Sequence, residues 1–230
     1  MKNIIFIAPP AAGKGTQSAL IESAFHLPHI STGDILRTVA NEDSEMGSYI
    51  REIISTGSLV RDDIMYDLLE ERLAKTDCKQ GYILDGFPRN VEQAQKYDEI
   101  LKRLNQTLGY VIVLDIDEKI LEKRITGRRI CENCGAVYNL NSENEKPQQE
   151  STCDNCQGRL KQRNDDNIES FKNRYQLYLE KTKPLLDYYN EKGVLYTING
   201  EGAVEEVHQR IVNVLKGEKN QWLPLKVNEK

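Results

Sequence analysis

Ile4-Ile5-Phe6-Ile7-Ala8-Pro9-Pro10-Ala11-Ala12-Gly13-Lys14-Gly15-Thr16 is the stretch whose reading decides the fold. Four apolar, β-rich residues break into a turn of small residues that ends in Gly13-Lys14-Gly15-Thr16. A helical pattern follows, with Ala19, Leu20, Ile21 and Ala24 as its apolar positions. Strand, small-residue loop, lysine, hydroxyl residue and helix form the sequence of a phosphate-cradling loop. Successive backbone N–H groups and the positive end of the new helix point at one anion. Lys14 adds a full charge for the terminal phosphates, and the Thr16 hydroxyl sits where such loops hold Mg²⁺. Two departures from the usual spacing stand out. Ala8 occupies the first glycine position, and Gly15 separates Lys14 from Thr16. The motif predicts a bound nucleoside triphosphate and leaves its use to the rest of the chain.

Outward from this loop, helical and strand patterns alternate. Ser31 or Thr32 is the predicted cap of a second helix, and a further piece runs from 45 to 55. Met65, Leu68, Leu69 and Leu73 give an apolar face to a helix over 62–75. Tyr82-Ile83-Leu84 reads as a buried strand leading to Asp85-Gly86-Phe87-Pro88-Arg89. An Asp at such a strand end is where α/β nucleotide folds hold the shell around Mg²⁺. A helix over 91–104, a strand over 110–115 and a helix after Asp117 follow. Helical pattern then runs from about 165 to 189, with a strand at 194–198 and a closing helix at 203–215. Strands alternating with helices predict an α/β fold, a parallel sheet flanked by helices on both faces.

The composition fits a globular protein: 230 residues, 29% charged and 39% hydrophobic. A formal net charge of −5 disfavours a general nucleic-acid or anionic-membrane binder. The opening apolar run is too short for a signal peptide or a spanning helix, so a cytoplasmic location with reduced thiols is expected.

Residues 131–160 break the pattern, with four cysteines and no helical period. Cys131-x-x-Cys134 and Cys153-x-x-Cys156, 18 residues apart, form the spacing of a tetrahedral zinc site. Gly135 and Gly158 are the expected turn residues. Four protein ligands leave no open position, so the predicted role is structural. Two disulfides, four inert thiols or a nucleic-acid-binding zinc ribbon are the competing readings. Reduced thiols, regular spacing and the acidic Glu143, Glu145 and Glu150 weigh against them in turn. Lys14, Arg37, Arg89, Arg124, Arg128, Arg163 and Arg174 all fall at turns or near helix ends. With Asp85 they suggest two facing phosphate sites. No catalytic base is evident, and a nucleotide phosphate, already an anionic nucleophile, needs none. His26, His29 and His208 read as ordinary histidines.

Taken together, Gly13-Lys14-Gly15-Thr16, Ser31-Thr32-Gly33-Asp34, Asp85-Gly86-Phe87-Pro88-Arg89, Gly127-Arg128-Arg129 and Arg163-Asn164-Asp165-Asp166 with Arg174 resemble the adenylate kinase family over about 2–216. The four-cysteine insert looks like the zinc-bearing lid of its long bacterial form. The resemblance implies a P-loop nucleoside monophosphate kinase fold with a core of 1–30, 61–126 and 166–217. It further implies an AMP-binding domain at 31–60 and a lid at 127–165, leaving a polar tail at 218–230. The implied reaction is Mg²⁺-dependent conversion of ATP and AMP to two ADP, which serves adenine nucleotide homeostasis. Ala11, Ala12, Gly13, Lys14, Gly15, Thr16, Arg124, Arg128, Val137, Tyr138 and Gly202 match the ATP positions. Thr32, Arg37, Ser58, Leu59, Val60, Gly86, Arg89, Gln93, Arg163 and Arg174 match the AMP positions. Lys14, Arg89, Arg124, Arg128, Arg163 and Arg174 are the implied catalytic set. Thr16 and Asp85 would hold magnesium, Asp85 through water, and Cys131, Cys134, Cys153 and Cys156 zinc. Such enzymes are usually monomers. Arg128 and Arg163 on the lid and Arg37 on the AMP segment can neutralise phosphates only by approaching the phosphate loop together, so an open state without ligand and a closed state over both nucleotides are expected. Ala8 and Ala11 stand where the family usually has glycine, and each adds a methyl where backbone approaches phosphate or needs positive φ. A UMP/CMP kinase and a non-catalytic nucleotide-binding protein remain the alternatives. Thr32, Gln93 and the long insert favour AMP over the first, and the intact Lys14, Asp85 and arginine set argues against the second.

Overall fold

The computed structural model describes residues 2–55, 60–163 and 166–217. Ser58, Leu59, Asp165 and the tail from 218 to 230 therefore lie outside the described residues.

Ile4–Ile7 forms β1, and all four residues are buried. It pairs in parallel with β3 (Ile83–Asp85) on one side and β4 (Tyr110–Asp115) on the other. A strand hydrogen-bonded on both edges and covered on both faces takes apolar side chains at every position, which is why the run does not alternate. β2 (His29–Ser31) pairs in parallel with β3, and β8 (Leu195–Asn199) borders β4. The order is β2-β3-β1-β4-β8, with β1 at the centre.

Helices flank this sheet. They are α1 (Lys14–Phe25), α2 (Thr32–Ala40), α3 (Glu45–Ser55), α4 (Asp62–Leu73), α5 (Val91–Arg103), α6 (Glu118–Gly127), α7 (Ile168–Leu177), α8 (Pro184–Glu191) and α9 (Val204–Leu215). Short polar side chains fix several of their starts. Ser31 Oγ accepts from Asp34 N–H (3.4 Å), Asn90 Oδ1 from Gln93 N–H (2.8 Å) and Asn167 Oδ1 from Ser170 N–H (2.9 Å). The helical run expected over 165–189 is broken. α7 begins at Ile168, a π-helical turn spans Tyr178–Thr182, and α8 restarts at Pro184. Proline has no N–H to continue a helix and is well placed at the first turn of a new one.

The cysteine insert is a small antiparallel sheet of β5 (Arg128–Cys131), β6 (Val137–Asn139) and β7 (Leu160–Lys161), ordered β6-β5-β7. Its buried core is Cys131, Cys153 and Leu160, with Ala136 and Tyr138 packed against them.

Counting described residues only, the chain divides into two compact units. The first takes in Met1–Ile7, Ser18–Val113 and Lys181–Tyr196. Its core joins β1 to Ile21, Tyr82, Tyr97, Ile100, Leu185 and Tyr189. The hydroxyls of Tyr82 and Tyr97 share a buried 2.7 Å hydrogen bond, and burial pushes both phenols well above the ordinary tyrosine range. The second takes in Ala8–Gln17, Leu114–Glu180 and Thr197–Lys230, with Leu121, Ile125, Phe171, Val207 and Ile211 in its core. Among the described residues no helix is long and apolar enough to cross a membrane.

The entry to β4 is tight. Asn3 accepts from Tyr110 N–H through its carbonyl (2.8 Å) and donates from Nδ2 to the Thr107 carbonyl (3.3 Å). A Cβ on Gly109 would stand 1.9 Å from the Asn3 carbonyl oxygen. Gly109→Ala must therefore push β1 and β4 apart, and urea unfolding is expected to show a loss of about 1–3 kcal/mol. Unchanged stability would show that Asn3 can yield.

Candidate active site

The loop leaving β1 belongs to the second unit. Ala12 N–H donates back to the Pro9 carbonyl (3.3 Å), closing a tight turn. Ala11 lies at φ +65° and Gly13 at φ +86°. Of the two alanine departures, Ala11 is the one held in the left-handed region, and Ala8 is not. Lys14 is the first residue of α1, and Gln17 N–H donates to the Gly13 carbonyl (3.0 Å). The amides before it lie where an α-helix offers no carbonyl, which is the arrangement that receives an anion. Gln17 Nε2 donates to the Val204 carbonyl (3.0 Å), anchoring this end of α1 to α9.

Also in the second unit, the loop from Asn199 to Ala203 is closely tied. Arg210 Nη1 donates to the carbonyls of Asn199 (2.9 Å) and Glu201 (2.6 Å). Arg124 Nη2 donates to the Gly200 carbonyl (3.2 Å), and burial holds its guanidinium below the ordinary arginine value. Gly202 takes φ +100°. Arg128 forms a two-point ion pair with Asp166, its Nε donating to Oδ2 at 2.9 Å and Nη2 to Oδ1. Arg163 is exposed, and Arg174 is half-buried on α7.

The four cysteines meet. Their sulfurs all lie within 4.8 Å of one another, with Cys131 to Cys156 at 3.4 Å and Cys134 to Cys153 at 3.5 Å. Each hook closes on itself: Gly135 N–H donates to the Cys131 carbonyl (3.1 Å) and Gln157 N–H to that of Cys153 (2.8 Å). The positive φ values needed for these turns fall on Gly135 (+73°) and Gln157 (+59°). Gly158, expected to make the second turn, is needed for space instead, since a Cβ there would meet Cys131 Sγ at 3.0 Å and Asn133 at 2.7 Å. The Tyr138 hydroxyl lies 3.4 Å from Cys153 Sγ and accepts from Asp154 N–H (2.8 Å). That hydroxyl and nearby amides hold the Cys153 thiol down to about 6. Val137, beside it, is exposed.

The first unit assembles a second surface. Thr32 is buried and its Oγ1 donates to the Gly86 carbonyl at 3.4 Å. Gly86 has φ +83°, and a Cβ there would meet Thr32 Oγ1 at 2.9 Å, so glycine is needed on both counts. Arg89 Nε donates to the same carbonyl (2.8 Å). Gln93 is buried on the first turn of α5, its Oε1 accepting from Arg89 N–H (2.8 Å). Thr32, Gly86, Arg89 and Gln93 are thus brought together. Arg37 lies at the exposed side of α2, paired with Asp34. Burial raises the Asp34 carboxyl, but the Arg37 guanidinium outweighs this and leaves it below the ordinary value. Val60 precedes α4 and is half-buried.

The adenylate kinase family model matches residues 6–194. The chain belongs to the adenylate kinase family. It is 44% identical over 214 residues to the adenylate kinase of Thermosipho africanus, covering 93% of this chain and 99% of that one. The adenylate kinase of Archaeoglobus fulgidus is also 44% identical over 214 residues (93% and 98%). That of Clostridioides difficile is 45% identical over 212 (92% and 97%). These relatives support adenylate kinase over the pyrimidine-nucleotide and non-catalytic alternatives.

Three side-chain pairings of this adenylate kinase site escaped the sequence reading. Asp62 Oδ1 accepts from Gln93 Nε2 (2.9 Å). Asp166 holds Arg128. His29 Nε2 lies 3.4 Å from Asp85 Oδ2. The last follows from strand pairing, since β2 and β3 run side by side with Ser31 opposite Asp85, and that pairing carried no signal in the sequence.

A left-handed alanine costs about 1–2 kcal/mol, part of which glycine's chain entropy returns. Ala11→Gly is therefore expected to stabilise the ligand-free protein by about 0.5–1 kcal/mol, raising Tm by roughly 2 °C. A lower Tm in a thermal melt would show that Ala11 is not strained.

Proposed function

We propose that this chain is the ATP:AMP phosphotransferase that converts ATP and AMP to two ADP, with its residues acting as follows. The observation that carries the reading is the gathering of Thr32, Gly86, Arg89 and Gln93. A phosphate loop alone serves many nucleotide-binding proteins, whereas a second gathered set of polar groups supports an acceptor other than water.

Ala11, Ala12, Gly13, Lys14, Gly15 and Thr16 bind the ATP phosphates, and Arg124, Arg128, Val137, Tyr138 and Gly202 complete its site. Thr32, Arg37, Val60, Gly86, Arg89 and Gln93 bind AMP, with Arg163 and Arg174 shared between the nucleotides. Ser58 and Leu59 belong to the same assignment from sequence alone. An AMP phosphate oxygen attacks the γ-phosphorus, the bond to the bridging oxygen breaks, and ADP leaves with that electron pair. Lys14, Arg89, Arg124, Arg128, Arg163 and Arg174 neutralise the charge that spreads over the transferred group. Thr16 and Asp85 are the oxygen ligands assigned to Mg²⁺, Asp85 through water. The half-buried Asp85 carboxylate at the end of β3 suits a hard cation. Bound Mg²⁺ offsets charge on the β- and γ-oxygens.

Zinc is the metal we assign to the cysteines. Four thiols within 4.8 Å are a soft, closed donor set, and the insert's small core needs a further tie. We also read the enzyme as a cytoplasmic monomer acting on nucleotides, with neither nucleic acid nor membrane as partner. Its net charge of −5 supports the latter part.

ADP formation from ATP and AMP in a coupled assay tests the activity. Lys14→Ala is expected to lower kcat by about a hundredfold, about 2.7 kcal/mol, because its charge matters most in the transition state. A normal kcat would remove Lys14 from the mechanism. Elemental analysis should find about one zinc per chain. Cys153→Ser should lower Tm while leaving the signature of the five-stranded sheet in place, and full stability without metal would refute the structural role.

A further inference from the structure

Gln93 carries a side-chain amide whose two ends differ, and an amide can turn over. Adenine offers a donor at N6 and an acceptor at N1. A 6-oxopurine offers the reverse, an acceptor at O6 and a donor at N1. One orientation of a glutamine amide matches the first edge and the flipped orientation matches the second. Selectivity between the two purines then depends on what prevents the flip.

The structure shows both ends held. Oε1 accepts from the Arg89 N–H at 2.8 Å, and Nε2 donates to Asp62 Oδ1 at 2.9 Å. A carboxylate only accepts and a backbone N–H only donates. Turning the amide over would set oxygen against carboxylate and NH₂ against N–H. The backbone of Gln93 is fixed as well, through the Asn90 cap. The Gln93 side chain is buried, although Asp62 stands at the exposed start of α4, so water is kept from the amide rather than from the carboxylate. Each end keeps one further valence, a lone pair on Oε1 and a hydrogen on Nε2, which is the pair adenine requires.

We propose that Asp62 is a positioning residue that locks the Gln93 amide in the adenine-reading orientation and so excludes 6-oxopurine nucleotides. The proposal rests on the reading above that Gln93 meets the acceptor base. Asp62 touches no substrate in this account and acts through Gln93. Its neighbour Asp63, on the same first turn of α4, pairs with Arg61 instead (2.5 Å) and provides a matched control for charge at that helix end.

The test measures kcat/KM for AMP and for inosine monophosphate, at saturating MgATP, in the wild type and in Asp62→Asn, Asp62→Glu, Asp63→Asn and Gln93→Ala. Asn is nearly isosteric with Asp, but its amide donates as well as accepts and no longer opposes the flip. The inosine-to-adenosine ratio of kcat/KM is expected to rise about tenfold in Asp62→Asn. It should stay closer to wild type in Asp62→Glu, which keeps a carboxylate, and be unchanged in Asp63→Asn. A wild-type ratio in Asp62→Asn, or an equal fall for both substrates, overturns the proposal. Gln93→Ala separates the two levels. If it shifts the ratio and Asp62→Asn does not, the lock alone is wrong. If neither shifts it, the placement of Gln93 on the base is wrong as well.

Discussion

Everything in this structure hangs on the double pairing of β1. Four residues buried on both faces carry eight backbone polar groups, and a buried group without a partner costs several kcal/mol. Only an interior strand meets that demand, and β3 and β4 meet it from the two sides. The ends of parallel strands at the middle of such a sheet are where α/β folds accept ligands. The loop from Ala8 to Gly13 is therefore delivered to that edge by the same constraint that buries Ile4–Ile7. Lys14 follows because the loop turns directly into α1. The left-handed Ala11 lies within this short link, where a turn must be made between a fixed strand and a helix start tied through Gln17 to α9.

The cysteine insert solves a different problem. Three short strands and a core of three buried residues bury too little apolar area to order themselves. Four convergent thiols, closed on the zinc proposed for them, would make up the deficit, and the chain spends its special backbone on them. Positive φ values at Gly135 and Gln157 turn the two hooks, and Gly158 leaves room for the Cys131 sulfur. Tyr138 ties β6 to the second hook through its hydroxyl. That contact gives Tyr138 a part in shaping the insert beyond its assigned place near ATP.

The features legible in the sequence were those that depend on neighbours along the chain. The β1 run, the loop, the cap at Ser31 and the cysteine hooks are local patterns, and each appears where expected. β2 was missed because three residues, His29–Ser31, are too few to show a period. The break between α7 and α8 was passed over because apolar spacing continues through it, and Pro184 was the local warning. Asp62 with Gln93 and Arg128 with Asp166 were invisible for another reason. Their partners lie 31 and 38 residues apart, and nothing in a single sequence pairs one carboxylate with one donor. The sequence motifs supplied the groups assigned to nucleotides, whereas the groups that hold those groups emerged only from the fold.

Arg128 shows what that second layer does. Asp166 is fully buried, and its charge is acceptable there only because Arg128 meets it at two points. Removing either partner from such a pair typically costs about 3–5 kcal/mol, mostly from the stranded charge. Arg128 is therefore held in one orientation before any anion arrives. The pair uses two of the guanidinium's five N–H groups, and the others are what an incoming phosphate can engage. A phosphate that binds them need not displace Asp166, because both anions can share one planar cation. The entropy of ordering a long side chain has then already been spent in folding, so less of it would oppose the phosphate contact proposed for Arg128. Gln93 follows the same logic: its amide is fixed by the Asp62 carboxylate and the Arg89 N–H, leaving the remaining valences for the base contact proposed for it. In both cases folding fixes the side chain proposed to meet a nucleotide through a partner, Asp166 or Asp62, that is remote from it in sequence.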